Sequence, residues 1–136
     1  MEGGIVVNSQ LRTSAAGIWA AGDVASWPDP RLGRHVRVEH WVVAQRMGQH
    51  AARNVLGADV PFDVAPFFWS QHYDATIAYV GHAPEWDIAE LDGNPTDLDC
   101  SVTYRRGDRR LAVATIFRDE LSLRTEIEME HEGRSA

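Results

Sequence analysis

This sequence has little of what several classes of protein require. Its 136 residues include one cysteine, Cys100, so neither an intrachain disulfide nor a Cys-x-x-Cys redox pair can form. No stretch approaches the roughly 18 consecutive apolar residues of a membrane-spanning helix. No N-terminal segment has the charged-then-apolar layout of a signal peptide. We therefore expect a cytoplasmic protein with no membrane partner, in which Cys100 is a small packing residue.

Positive charge is also in deficit. The net charge is −7, whereas a nucleic-acid surface needs a basic field, so we expect no nucleic-acid partner. The six histidines lack metal-ligand spacing and have no paired cysteines beside them, so we assign no metal. The basic residues crowd into two turns, which indicates solvated loops or, alternatively, a rim for an acidic electron carrier. These residues are Arg31, Arg34 and Arg37, and Arg105, Arg106, Arg109 and Arg110.

The first half of the chain begins with β-type apolar segments. Residues 5–7 predict a short strand, and residues 17–21 predict a core strand that ends at Gly22 and Asp23. Ligands of open α/β sheets lie outside the carboxyl ends of strands, which makes Asp23 a candidate acceptor for a sugar-type hydroxyl. Gly22 would let that ligand approach closely. The alternative is an ordinary Gly-Asp turn.

A loop and a helix should follow. Pro28, Pro30 and Gly33 predict a loop over residues 25–35, in which Trp27 either packs on the core, as we favour, or covers a ligand. Residues 36–56 predict a helix that ends at Gly57.

One side of this helix should be buried. We expect Trp41, Ala44, Ala51 and Val55 on or near that side, with Trp41 both anchoring the core and facing a ligand. Glu39 would lie near the helix N-terminus, which favours a carboxylate in any protein and so proves little.

A connector with two prolines, residues 58–66, precedes a change of pattern. Beyond it we expect a mostly antiparallel sheet with one helix packed on it. The predicted strands cover residues 67–70, 76–81, 86–92, 98–104 and 111–117. A helix over residues 119–132 would begin with Asp119 as its N-cap and bury a narrow stripe of Leu121, Leu123 and Ile127.

Three blocks of sequence resemble one family in the same order. G-I-V-V-N at 4–8 with G-I-W-A-A-G-D-V-A at 17–25 resembles the second flavin-binding motif of two-dinucleotide-domain flavoproteins. V-E-H-W at 38–41 resembles the start of their flavin-facing helix, and P-F-F-W-S at 66–70 resembles the opening of their C-terminal domain. The chain thus resembles the ferredoxin reductases and apoptosis-inducing-factor-like reductases of the pyridine nucleotide-disulfide oxidoreductase superfamily.

The resemblance implies an FAD site. Asp23 would hold the ribityl chain beside Gly22, and the amides around Val24 would face phosphate. The helix that starts near Glu39 and His40 would present its positive end to the flavin ring, which Trp41 and Trp69 would wall. Trp69 has an equally weighted alternative, which is a core position in a cluster with Phe67, Phe68 and Tyr73. No residue of this chain is implied as a catalytic acid or base.

The implied architecture is α+β. Residues 1–60 would be the C-terminal segment of an FAD-binding α/β domain, and residues 61–136 the reductase C-terminal domain. Because no G-x-G-x-x-G occurs, the chain lacks the usual pyrophosphate loop. We therefore expect a piece of a longer reductase, or the product of a shortened gene, that does not retain FAD alone.

The expected function is electron transfer from NAD(P)H through FAD to a ferredoxin or similar acceptor. The partners would be the missing FAD- and NAD(P)H-binding domains and the electron acceptor. A homodimer with a second copy of the chain is a further possible partner. The alternative is a non-catalytic dimerisation or interaction module with a vestigial flavin-binding strand. Under either reading we expect the isolated chain to be inactive, with activity only in the full-length oxidoreductase.

Overall fold

In residues 3–135 the chain forms two sheets and two α-helices, which confirms the predicted α+β class. The computed structural model describes the backbone of residues 3–135 and the side chains of residues 3–133. The chain divides into a first unit that ends at Val64 and a second unit, Ala65–Ser135. The sequence-based division after residue 60 falls in the same connector, four residues earlier.

The first unit contains a three-stranded sheet in the order β1-β2-β3. Strand β1 (Ile5–Val6) pairs in parallel with β2 (Ala25–Asp29), which pairs in antiparallel with β3 (Arg34–Val36). The predicted loop over residues 25–35 is therefore wrong, because most of it forms a hairpin. Strand β1 reaches only the first two residues of β2, so Pro28 lies where β2 has one neighbour, a position at which a strand tolerates proline.

The predicted core strand at residues 17–21 is also wrong. Among the described residues this segment makes a single bridge, between Trp19 and Arg12. Backbone bonds from Thr13 N to Ile18 O (2.9 Å) and from Ala20 N to Leu11 O (3.1 Å) flank that bridge. Ile18 is 55% exposed. The apolar run is β-type by composition, but it lacks the successive pairs that make a strand.

Helix α1 (Trp41–Val55) begins later than predicted. Val36 ends β3, residues 37–40 are not helical, and His40 is extended with φ −151° and ψ 136°. The His40 ring caps the helix because its Nδ1 accepts a hydrogen bond from Val42 N at 3.2 Å. At the other end Gly57 has φ +92° and its amide donates to Asn54 O, as expected of a glycine that follows a helix.

The buried side of α1 differs from the prediction. Its buried residues are Val42, Val43, Met47, Ala51 and Asn54. Trp41 lies six positions before Met47, so it points about 120° away from it on the helix. Trp41 is 60% exposed and Val55 is 57% exposed. Of the residues predicted to be buried, only Ala51 lies fully on that side.

Trp27 has the packing role that we favoured. Its side chain is completely buried and meets Phe62 edge to face, with ring centroids 5.6 Å apart. Phe62 in turn meets the His50 ring at 5.4 Å. The core of the first unit thus lies between the hairpin, α1 and the connector.

The second unit is a five-stranded antiparallel sheet in the order β4-β5-β8-β7-β6. Its elements lie within a few residues of their predicted bounds. They are β4 (Phe67–His72), β5 (Ala75–Gly81), β6 (Ile88–Asn94), β7 (Asp99–Arg106), β8 (Arg109–Ile116) and helix α2 (Asp119–Ser135). Cys100 is buried in β7, in agreement with a packing role.

Helix α2 packs on β5 and β8 with an unexpected face. Met129 joins Val80 and Ala65 in the core, and the hydroxyls of Ser122 and Thr115 share a buried hydrogen bond of 2.7 Å. The predicted apolar stripe is wrong, because its members are exposed: Leu121 by 37%, Leu123 by 57% and Ile127 by 58%. Asp119 is the first helical residue and not the residue before it.

Candidate functional site

The Gly22–Asp23 turn lies against helix α1. Gly22 is buried with φ +81°, and a Cβ added there would lie 3.2 Å from the Ala44 Cβ. Its carbonyl accepts a hydrogen bond from Ala25 N at 2.9 Å, which closes the turn at the start of β2. Glycine is thus required at position 22 because the turn approaches α1 closely. The sequence had suggested that a ligand approaches there. The turn and the first turns of the helix form one surface.

Asp23 and Val24 are exposed at the tip of this turn. The Asp23 carboxylate has no hydrogen-bond or ion-pair partner among the side chains of residues 3–133, so it is available to a donor. Its backbone carbonyl is held by Arg37 Nη1 at 2.9 Å. The Val24 carbonyl accepts from Ile5 N at 2.6 Å, which fixes the turn to β1.

Glu39 lies just before α1, whereas the predicted helix included it. Its carboxylate is 59% exposed and pairs with Arg37 Nη2 at 2.5 Å. The first turn of α1 itself contains no acidic residue. No carboxylate in that turn therefore offsets the positive end of the α1 dipole, and the charge of the nearby Glu39 is already balanced by Arg37.

His40 and Trp41 form the start of α1. Their rings are 6.0 Å apart and inclined at 30°. The exposure of Trp41 shows that it does not anchor the core of the first unit. A role beside a flavin stays a prediction for both residues. The turn with Gly22 and Asp23, the Glu39 carboxylate and this helix start are thus brought together by Arg37 and Ala44.

Trp69 belongs to the second unit. It lies on β4 opposite Ala78, is 38% exposed, and its ring centroid is 6.1 Å from that of Phe67. The predicted aromatic cluster does not form as a whole, because Tyr73 is 99% exposed in the β4–β5 turn. Phe68 instead stacks on Tyr79 at 5.0 Å. The placement of Trp69 near a flavin remains a prediction.

Aromatic rings of the second unit form a connected row across the sheet. Tyr79 lies 6.2 Å from Tyr104, which meets Trp86 at 5.0 Å. Burial raises the pKa of Tyr79 above its usual value, and this effect outweighs the hydrogen bond from Ala83 N that lowers it. The phenol is therefore neutral at physiological pH, which suits a packing role rather than proton transfer.

The arginine turn of the second unit is electrically compensated. Arg105 pairs with Glu90 at 2.9 Å, and Arg106 pairs with Glu85 at 3.4 Å. Arg110 reaches Glu128 at 2.9 Å. Because carboxylates face most of these guanidinium groups, the hairpin is a solvated, paired loop. It does not present the uncompensated basic rim that we considered for an acidic carrier.

Arg118 has the most partners of the guanidinium groups described in residues 65–133. It bonds Asp99 Oδ1 at 2.7 Å and also pairs with Asp92, so it ties the start of α2 to β6 and β7. These bonds, that to Asp99 first and that to Asp92 next, raise the pKa of Arg118. Its role is structural.

Two classes of site are absent from the described residues. Within residues 3–133, no three His, Cys, Asp or Glu side chains converge as metal ligands would. Neither of the two helices described in residues 3–135 has the length and apolar character that crossing a bilayer demands.

Arg37 is the residue of this surface that sequence analysis missed. It appeared only as one member of a basic cluster, whereas the structure gives it two separate acceptors. The sequence offered no clear signal, because two residues two apart on the predicted helix lie on different sides of it. The ion pair of Arg37 with Glu39 forms because this segment is not helical.

Comparison with known proteins identifies the class. The pyridine nucleotide-disulphide oxidoreductase family matches residues 1–48, and the reductase C-terminal family matches residues 67–127. Together these matches cover most of the chain. The chain belongs to the pyridine nucleotide-disulfide oxidoreductases of the ferredoxin-reductase type.

Particular relatives support that assignment. The ferredoxin–NAD(+) reductase component of the Burkholderia cepacia anthranilate 1,2-dioxygenase system is 36% identical over 114 residues, which is 84% of this chain and 28% of that protein. Human apoptosis-inducing factor 3 is 30% identical over 121 residues, 88% of this chain and 20% of that protein.

A solved structure shows the same fold. In the covalent putidaredoxin reductase–putidaredoxin complex, the matching chain has a TM-score of 0.84 at 33% identity, covering 94% of this chain and 31% of that chain. The chain thus spans less than a third of the length of these relatives.

Proposed function

We propose that this chain forms one part of an NAD(P)H-dependent flavoprotein that transfers electrons through FAD to a ferredoxin or a similar small acceptor. The observation that carries the proposal is the Asp23 carboxylate. It is exposed, lacks a partner among the described side chains, and lies on a turn packed against the first turns of α1. A carboxylate accepts hydrogen bonds from the hydroxyls of a polyhydroxyl chain, and the positive end of the neighbouring helix favours an anionic ring edge.

The chemical groups of these residues suit the parts of FAD. Asp23 would accept hydrogen bonds from ribityl hydroxyls, while the turn amides around Val24 would face phosphate. His40 and Trp41 would border the flavin ring. When bound, FAD supplies the hydride and electron chemistry. The protein groups would orient it and bias its charge state.

The remaining parts of such a reductase would come from other segments. No G-x-G-x-x-G phosphate loop occurs in the sequence, and the relatives that match it are more than three times as long as the matched region. The proposal therefore concerns a protein that includes FAD- and NAD(P)H-binding domains besides these residues. We place it in the cytoplasm, since the buried, unpaired Cys100 suits a reducing compartment.

The isolated chain should not retain flavin. Without a pyrophosphate loop it lacks a large share of the contacts that hold FAD, and the remaining contacts must still offset the entropy of association. We expect the purified chain, incubated with excess FAD and desalted, to be colourless with no flavin absorption band. One equivalent of FAD surviving desalting would contradict this expectation, because these residues would then suffice for binding.

In the longer flavoprotein, Asp23→Ala should lower FAD occupancy. Loss of a carboxylate that accepts hydroxyl donors should weaken binding by about tenfold or more, the size expected for hydrogen bonds to a charged group. The measurement is FAD per protein from absorbance after dialysis. The control is Asp59→Asn, which removes a charge from an exposed pair with Arg12 and has a φ of +52° that asparagine tolerates. Equal FAD content in both variants would exclude Asp23 from the site.

A second candidate function is a dimerisation or interaction module without redox activity. The observation that favours it is helix α2, on which Leu123 and Ile127 are exposed whereas Ser122 and Thr125 are buried. Such a face suits contact with another protein surface. The two candidates differ in one measurement, because a longer protein purified without any flavin would support the module and exclude the reductase.

A further inference from the structure

We propose that Arg37 is the positioning residue of the flavin site, holding the Asp23 turn in place and cancelling the charge of Glu39 beside the start of α1. This inference rests on the proposed function. It concerns a residue that would act through its neighbours rather than by touching the reacting atoms.

The first part of the argument is the pair of acceptors that Arg37 joins. Its Nη1 donates to the Asp23 backbone carbonyl at 2.9 Å, and its Nη2 pairs with Glu39 Oε1 at 2.5 Å. A planar guanidinium can satisfy two such acceptors at once in fixed geometry, whereas an ammonium offers one centre. Arg37 thus sets the position of the turn relative to the segment that leads into α1.

The second part is the space provided for the Arg37 stem. A Cβ added at Gly4 would lie 2.8 Å from Arg37 Cδ and 3.0 Å from the Val24 carbonyl oxygen. Gly4 has φ +137°, in a region that other residues rarely adopt. The chain before β1 therefore passes directly over the arginine stem and the turn. The Arg37 side chain is only 32% exposed, which agrees with a seated and ordered group.

The third part is electrostatic. Glu39 lies immediately before the N-cap of α1, and its only ion-pair partner among the described side chains is Arg37. The start of α1 is proposed to face the flavin ring, which gains negative charge on reduction. Without Arg37, the unpaired negative charge of Glu39 would lie beside that helix end and repel the reduced ring. Removing Arg37 should thus disfavour the reduced flavin as well as loosen the Asp23 turn.

The test uses the longer FAD-loaded protein and measures two quantities, the dissociation constant of FAD and the midpoint potential of the bound flavin. Arg37→Met keeps the apolar stem and removes the charge and both donors. We expect FAD affinity to fall by about tenfold or more, as for loss of charge-assisted hydrogen bonds. The potential should become more negative, because Glu39 is then unpaired.

Three further variants separate the two roles. In Arg37→Met combined with Glu39→Gln, the potential should return to the wild-type value while affinity stays low, since the bond to Asp23 is still missing. Arg37→Lys keeps the charge, so the potential should stay near wild type with an intermediate affinity. The matched control is Arg34→Met, because Arg34 is exposed on β3 and has no side-chain partner among the described residues.

Several outcomes would overturn the inference. Wild-type affinity and potential in Arg37→Met would do so, as would an equal shift in Arg34→Met, which would reveal only a general charge effect. If Arg37→Met does not fold, Arg37→Lys decides, and wild-type affinity in that variant would contradict the positioning role. A wild-type protein that binds no FAD would instead refute the proposed function itself.

Discussion

Asp29→Ala is expected to destabilise the first unit by about 3–5 kcal/mol, the cost of removing one partner from a buried ion pair. The Asp29 side chain is 1% exposed and that of Arg31 is 11% exposed. Since small units are stable by only about 5–15 kcal/mol, this loss should bring the first unit close to unfolding at room temperature.

The size of this effect follows from how many bonds depend on the pair. Asp29 accepts from Arg31 N at 2.7 Å and from Arg31 Nη2 at 2.8 Å, which closes the β2–β3 turn. Arg31 also donates to the carbonyls of Asp63 (2.8 Å) and Val64 (2.9 Å), which holds the connector. Removing the carboxylate leaves a nearly buried guanidinium without its counter-charge.

Urea unfolding of the full chain, followed by tryptophan fluorescence and circular dichroism, measures the effect. Asp59→Asn serves as the control, because the Arg12–Asp59 pair is 44% and 63% exposed, and such pairs contribute about 1 kcal/mol or less. Arg31→Met should resemble Asp29→Ala, since it breaks the same pair. Equal stabilities of Asp29→Ala and the control would show that the pair does not hold this unit together.

Gly81→Ala is expected to destabilise the second unit by about 3 kcal/mol or more, from backbone strain and overpacking combined. Gly81 is the last residue of β5, has φ +89° and is buried. A Cβ there would lie 2.3 Å from the Leu111 carbonyl oxygen and 3.0 Å from Ala112 Cα. These are backbone atoms of the neighbouring strand, so β5 and β8 would have to separate.

Gly107→Ala is the matched control for this prediction. Gly107 also has a positive φ, +57°, but nothing lies within 4 Å of an added Cβ. Its substitution should cost about 1–2 kcal/mol, the intrinsic strain of the left-handed region. Thermal unfolding of the full chain gives both values. If Gly81→Ala is no more harmful than Gly107→Ala, the close approach of the two strands is not limiting.

The second unit was largely predictable from sequence because its pattern is local. Alternating apolar and polar residues with turn signals between them located the strands of an antiparallel sheet within a few residues. Gly57 likewise predicted the end of α1. In these elements the preference of each short segment agrees with its tertiary environment.

The failures come from elements whose state depends on distant partners. Residues 17–21 have strand composition but make only one bridge within the described chain. Residues 25–35 contain loop-type residues yet form a hairpin, because the Asp29 carboxylate closes the turn and Trp27 is buried on Phe62. Composition records what a segment prefers, whereas pairing and burial decide what it adopts.

Helix α2 shows the same limit on a larger scale. Hydrophobicity predicted that Leu123 and Ile127 would face the sheet, but the buried side carries Ser122, which bonds Thr115. A buried hydroxyl pair satisfies its own polar groups, so it can replace apolar contacts at little cost. No periodicity of the helix alone reveals that its partner lies on β8.

The candidate site divides in a similar way. Motif resemblance singled out Gly22, Asp23 and Glu39. In the structure Gly22 packs against Ala44 of α1, and Arg37 contacts both Asp23 and Glu39. Arg37, which links them, had no distinctive motif. Its importance depends on two acceptors separated from each other in the sequence, and only the folded chain brings them within hydrogen-bond distance.

The amino-acid order by itself determined the family, the α+β class and the bounds of most strands, because motifs and alternation are properties of short segments. The tertiary structure decided which face of each helix is buried, which apolar run pairs as a strand and which guanidinium meets which carboxylate. Those outcomes depend on contacts between residues far apart in the chain, whose free energies no local pattern contains.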